Sequence, residues 1–384
     1  MYTVETSKHF EKYTDFCTGA ETWVLKNETA PLQKPLYFVS NPCSRDERYF
    51  WFVCAFPPGG LREGSALTMA CIDLETDDIY YHPDIPAGAP CADPDNGDLY
   101  YCTQNLVLKK SAPYPDSPVE LIGRVPAEWK KMPGRMASHL TFSADKRELC
   151  CDICSGNEVY LSSLEISSGK FELWHSFHGG WNHAQFNPVD KDLILFAMDF
   201  WVDLQTGIRN RIGAAENGQL TRIWTIRRGE EPVNHLPLFK EASHEYWSAD
   251  GSKIYYCDWR KGTCMIDYKS GERRLIHPTG YRHAYTSSNE KYITADIFNY
   301  NDQWRWYRGC ATTVNFYNTE THRPVDIVTR NPALYKFEEP CDYHIDAHPR
   351  FVFNDKYVAF CTTVFGKPSI GFAKTSQLVE LTSD

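Results

Sequence analysis

EYWSADGSKIYYCDW, residues 245–259, carries the pattern that decides the fold. An aromatic pair leads into a polar Ser-Ala-Asp-Gly turn, and a β-rich run follows that ends in Cys-Asp. Six more copies recur along the chain. They are FVSNPCSRDERYFWFVCAF from Phe38, ADPDNGDLYYC from Ala92, LTFSADKRELCCDI from Leu140, AQFNPVDKDLILFAMD from Ala184, AYTSSNEKYITADI from Ala284 and PRFVFNDKYVAFCTT from Pro349. Their uneven spacing falls near the ~40–50 residues that a four-stranded propeller blade occupies.

Most copies are followed by a second phrase of strand, polar turn and strand, as in MACIDLETDDIYYH, VYLSSLEISSGKFELW, CMIDYKSGERRLIH and VNFYNTETHRPVDIV. Asp, Asn, Ser and Gly supply tight reversals, and the flanking Tyr, Val, Ile, Phe and Trp suit a pleated, half-buried surface. Helical periodicity is almost absent. Two hairpins per repeat make a four-stranded antiparallel blade, and seven blades in a ring leave only short, protected edges. The reading is therefore all-β, one seven-bladed β-propeller over residues 1–384. The chain ends after two expected strands, IGFAK and LVELT, so the closing blade is expected to borrow TWVLKN, residues 22–27, from the N-terminal region.

Composition narrows the function. The 384 residues carry 50 acidic against 40 basic side chains, a net charge of −10, and no basic run able to neutralise successive phosphates, so nucleic acid is not an expected partner. No stretch approaches the ~18–20 apolar residues of a membrane helix. The N-terminal MYTVETSKHFEKYTDF alternates in charge without an apolar centre, which points to the cytoplasm. Most of the 14 cysteines sit in apolar strand-like runs, as small buried thiols do. Cys150, Cys151 and Cys154 include one CxxC pair, but a zinc ribbon needs a second at matching spacing. The oligomeric state is not legible.

In a propeller the innermost strands line a central channel. His139, His183, His244, His283, His344 and His348 lie just before or inside the repeated phrases, so they are expected to converge on one funnel. In CDYHIDAHPRF, residues 341–351, a strand would put His344, Asp346 and His348 on one face. Two imidazoles and a carboxylate suit a divalent ion of the manganese, iron or zinc type, with His283 from the neighbouring repeat as a fourth ligand. The alternative is that Asp346 orients a histidine without metal. His244, in SHEYW, is a candidate base because imidazole titrates near neutrality. Arg222, in TRIW, is a candidate clamp for a carboxylate, or an ordinary ion pair. Trp181, Trp201, Trp247 and Trp259 are candidates for stacking on sugar rings, although tryptophans in blades often serve the core.

The succession WNHAQFNPVDKDLILF, LTRIW, SHEYWSADGSKIYYCDW, RHAYTSSNEKYITAD and AHPRFVFNDKYVAFCTT resembles the oligogalacturonate lyase family, most specifically from about Trp181 to Thr363. The resemblance implies a cytoplasmic propeller that cleaves short uronic acid oligomers, as in pectin degradation, by β-elimination with manganese. It implies that His244 removes the C5 proton, that Arg222 is the cationic partner at the substrate, that His183 contacts the sugar, and that His283 and His348 bind the metal. Two places depart from the family. Where the family's metal strand has a glutamine, a histidine three residues on and another two further, this chain has Tyr343, Asp346 and His348. Where the family's first blade opens on a histidine-containing segment, this chain has KPLYF, residues 34–38. A lyase for another uronide, glucuronate-containing or rhamnose-linked, and a non-catalytic carbohydrate-binding propeller are the competing readings. No GxSxG elbow supports a hydrolase.

Overall fold

The computed structural model describes residues 1–56, 67–129, 134–199, 201–210, 222–236, 242–279, 283–299, 311–332 and 346–383. Seven antiparallel sheets form a ring, one for each copy of the repeated phrase. The fifth blade shows the pattern: Ala242–Trp247 innermost, then Lys253–Asp258, Gly262–Asp267 and Arg273–Pro278 outermost.

The polar turn of the phrase has a fixed local chemistry. In the first, third and fifth blades, Ser44, Ser143 and Ser248 accept a hydrogen bond from the backbone N–H five residues on, each at 3.0 Å, and donate to Asp46, Asp145 and Asp250. Ser287 does the same in the sixth blade, accepting from Tyr292 at 3.0 Å and donating to Asn289. A short polar side chain thus closes the reversal from the inner strand to the second.

Second strands are sandwiched between neighbouring blades. All of Tyr49–Ala55 and Tyr357–Thr362 is buried, whereas the outermost Phe171–His178 is largely open to solvent. Trp51, Phe52, Phe360 and Phe372 are fully buried. Each such side chain contributes about 1.5–3 kcal/mol through apolar burial.

Ring closure uses both ends of the chain. Glu21–Leu25 pairs with Ser369–Lys374, Trp23 opposite Phe372, and supplies the fourth strand of the last blade; Phe10–Thr14 adds a fifth. Lys374 and Tyr357 bind Glu5 across this seam at 2.8 and 2.6 Å. One expectation is corrected here: LVELT is not a strand but lies in and just beyond the helix Thr375–Leu381. The edge of Ser369–Lys374 is already taken by Glu21–Leu25, so the last segment has no partner strand. It coils instead, burying Leu378 against Val314, Phe316 and Ala373.

The twelve described cysteines are free thiols, eleven of them wholly or partly buried. Burial pushes Cys54 up to about 11 and Cys91 to about 12, which makes them unreactive packing groups. No helix among the described residues is long and apolar enough to cross a membrane.

Candidate metal and catalytic centre

The inner strands bring five histidines to one end of the channel, and the backbone is unusual where they do so. His183, His244 and His348 have φ of 58°, 56° and 44°. This left-handed region is disfavoured for a residue with a side chain, and such strain gathers at functional sites. His183 and His244 each sit in a break of register between the inner and second strands of their blade. The bulge turns a side chain out of the alternating pattern and toward the channel axis. His283 and His139 are buried close by, with His139 Nε2 3.3 Å from His183 Nδ1.

Carboxylates within the second strands hold these imidazoles. Asp296 accepts from the backbone N–H of His283 at 2.9 Å, lies 2.9 Å from His283 Nδ1, and accepts the backbone N–H of His348 at 3.1 Å. One side chain therefore fixes ligands from two blades and turns His283 Nε2 inward. Asp152 plays the matching part earlier in the ring: it accepts from Ser138, whose Oγ accepts the backbone N–H of His183 at 2.9 Å. Sequence reading missed both.

His244 is held by its neighbour. Its Nδ1 lies 2.9 Å from Ser243 Oγ, which also accepts from the Trp259 indole. That hydroxyl has a second lone pair for Nδ1–H, the tautomer that leaves Nε2 able to take a proton. Burial, followed by the nearby His283 and Arg222, pushes His244 well below the usual histidine range. Burial also lowers His183 and His139. All three are neutral at pH 7.

Arg222 is buried, with Nε 2.8 Å and Nη2 3.4 Å from the two oxygens of Glu245, and Nη1 3.4 Å from Asp199. Burial works against its charge, but Glu245 and Asp199 hold it protonated. The guanidinium is fixed in place and already matched by two carboxylates, so it brings no net positive charge to an incoming anion. Glu245, beside His244 in sequence, is a further residue that sequence reading did not assign.

The ligand atoms of His283, Asp346 and His348 all lie within 4.8 Å of one another, and His348 Nε2 is 3.7 Å from Asp346. Two imidazoles and a carboxylate, with one imidazole backed by Asp296, make a donor set that fits a divalent transition metal. Asp346 and His348 do not share a strand face, because the strand begins only at Arg350. A left-handed turn at His348 brings them together instead. His344 lies outside the described residues.

The departure in the first blade reaches the middle of this cluster. The inner strand Leu32–Lys34 breaks off, and the chain crosses the channel before Cys43 bridges to Phe50. Tyr37 stacks on His139 with ring centres 4.6 Å apart and planes 4° from parallel, and lies 4.8 Å from His348. Phe38 is fully buried beneath, 5.8 Å from His283 and 6.2 Å from His244. Beyond it, at the other end of the channel, lies a cavity of about 370 Å³ lined by Asn41, Gln185, Tyr246 and Arg350 among others.

The structure thus gathers His183, Arg222, His244, His283, Asp346 and His348. The tryptophans are elsewhere employed. Trp247 is in the core, Trp181 packs on Phe177 at 4.4 Å, and Trp259 serves Ser243; the side chain of Trp201 lies outside the described residues.

No family model matches the chain, and no curated protein matches it. Among solved structures, an oligogalacturonate lyase in complex with manganese superposes with a TM-score of 0.73, covering 95% of this chain and 96% of that one at 17% identity. An oligogalacturonate lyase from Vibrio parahaemolyticus gives 0.74 over 95% and 96% at 15% identity. What is shared at such identities is the seven-bladed fold.

Proposed function

We propose that the protein is a metal-assisted lyase of short uronic acid oligosaccharides, oligogalacturonides foremost, acting in the cytoplasm. The observation that carries this reading is the contact between a neutral imidazole and the metal-ligand set: the rings of His244 and His283 are 4.0 Å apart, and His283 is 4.3 Å from His348.

The proton on the carbon next to a uronate carboxylate is weakly acidic, and its removal builds negative charge on that carboxylate. A divalent ion at His283, Asp346 and His348, manganese by analogy with the neighbour's complex, would supply the positive charge that stabilises it. His244 takes the C5 proton. The electron pair so released forms the C4–C5 double bond as the C4–O bond breaks. Arg222, braced by Glu245, fixes the orientation of the sugar carboxylate, and His183 contacts the ring. The first-blade departure, with Tyr37 and Phe38 in the channel, favours a second reading within the same chemistry: a uronide other than galacturonate.

Mass spectrometry of products from digalacturonate and glucuronate-containing disaccharides, with and without chelator, tests the proposal. Fragments whose masses sum to that of the substrate, lost on chelation, support it. Fragments that carry an added water would mean hydrolysis and overturn it.

A further inference from the structure

The end of the ring where the inner strands turn back encloses a second space, the cavity of about 370 Å³. That volume falls at the small end of the ~300–1,000 Å³ typical of small-molecule sites and suits a guest of monosaccharide size. The cavity is distinct from the histidine cluster. Phe38 stands between the two, its ring 5.9 and 6.3 Å from Tyr246 and Tyr285 in the cavity wall and 5.8 Å from His283 on the other side.

One wall holds a buried cation. Arg350 is 7% exposed, its guanidinium lies 5.0 Å over the Tyr285 ring, and it donates from Nη1 to the Ser40 carbonyl and from Nε to the Phe351 carbonyl at 3.4 Å. Val39 and Asn41, on either side of Ser40, line the cavity together with Tyr285, so these contacts fix the guanidinium at its wall. Among the described residues Nη2 has no acceptor, and no carboxylate forms an ion pair with Arg350. Asp355, the acidic residue of the lining, accepts instead from the Ser288 N–H and hydroxyl at 2.7 and 2.5 Å. A buried guanidinium without a paired anion is costly, whereas an incoming carboxylate matches its fork of donors. Gln185, also in the wall, donates from Nε2 to the carbonyls of His183 and Glu245 at 3.3 and 2.9 Å. Its Oε1 is left as an acceptor that no described residue uses.

We propose that this cavity is a second binding site, for a small hydroxy carboxylate of the size and charge of a uronate monosaccharide. Arg350 holds the carboxylate, and Gln185 Oε1 accepts from a hydroxyl. The guest carries a single negative charge, because Arg350 is the only basic side chain among the described lining residues and Asp355 repels a second anionic group. Phe142, Phe186 and Tyr246 offer apolar surface to its carbon skeleton. The site stands on these residues alone and does not depend on the lyase reading.

Calorimetric titration of the intact chain with D-galacturonate, D-galactose, benzoate and inorganic phosphate tests this. Two variants accompany wild type. Arg350→Gln removes the charge, and Ala249→Trp narrows the mouth, where Ala249 is exposed, without touching the bonds of Arg350 or Gln185. D-Galacturonate is expected to bind wild type, about 10- to 100-fold more weakly to Arg350→Gln, and not measurably at this site in Ala249→Trp. Galactose, which lacks the charge, benzoate, which lacks the hydroxyls, and phosphate, which carries a second charge, are each expected to bind more weakly than galacturonate. Undiminished affinity in a folded Arg350→Gln or in Ala249→Trp, galactose bound as tightly as galacturonate, or no binding to wild type at millimolar concentration would overturn the site. Tighter binding of benzoate or phosphate would overturn the assigned ligand class. Should Arg350→Gln fail to fold, as judged by its melting temperature, Ala249→Trp decides. Unsaturated product from digalacturonate, measured on Ala249→Trp alongside wild type, reports on the lyase reading separately.

Discussion

The two ends of the same inner strands are built on opposite plans. Where the strands turn back, the Ser-x-Asp or Ser-x-Asn reversal is repeated in four blades with the same hydrogen bonds at nearly the same lengths. At the other end the described blades depart from the regular strand in at least three ways. The first breaks its strand to insert Tyr37, the fourth and fifth bulge at His183 and His244, and the seventh bends at His348. Uniformity at one end makes the ring; irregularity at the other makes the site, where backbone strain aims side chains at a common point.

Substitutions can break this comparison. The largest effect is expected at the irregular end. His244→Ala should lower kcat by about 10²- to 10⁴-fold with little change in melting temperature, measured by product formation and calorimetry. Glu245→Ala should strike both properties. It leaves the buried Arg222 with only Asp199 and should cost about 3–5 kcal/mol in denaturant unfolding, besides reducing turnover. At the uniform end, Ser143→Ala removes an acceptor for the Glu148 N–H and a donor to Asp145. A loss of about 1–3 kcal/mol in stability with unchanged kcat is expected. If Ser143→Ala reduced turnover as severely as His244→Ala, the division between the two ends would not hold.

The same division explains what could be read from sequence. The seven phrases were legible because each turn is a local event, complete within six residues and recurring from blade to blade. Histidines that precede such phrases were legible for the same reason. Asp152, Asp296 and Glu245 were not, because their bonds join adjacent blades or cross strands and have no signature at fixed spacing. The contact of Tyr37 with His139 and His348 was not legible because its place depends on where a broken strand crosses a closed ring. The LVELT segment looks like a strand in isolation and is helical because the N-terminal strand has taken its edge. Asp346 and His348 lie close together, but through a left-handed bend in place of the shared strand face expected of them.

The central claim is that the irregular end of the channel carries out a metal-dependent elimination. Ultraviolet absorbance of a conjugated, unsaturated uronate tests it most directly, followed as the protein acts on digalacturonate before and after chelation and again with manganese restored. The account predicts absorbance that rises with each bond cleaved, stops on chelation and resumes with the metal. Cleavage without absorbance, or a rate indifferent to the chelator, would contradict it.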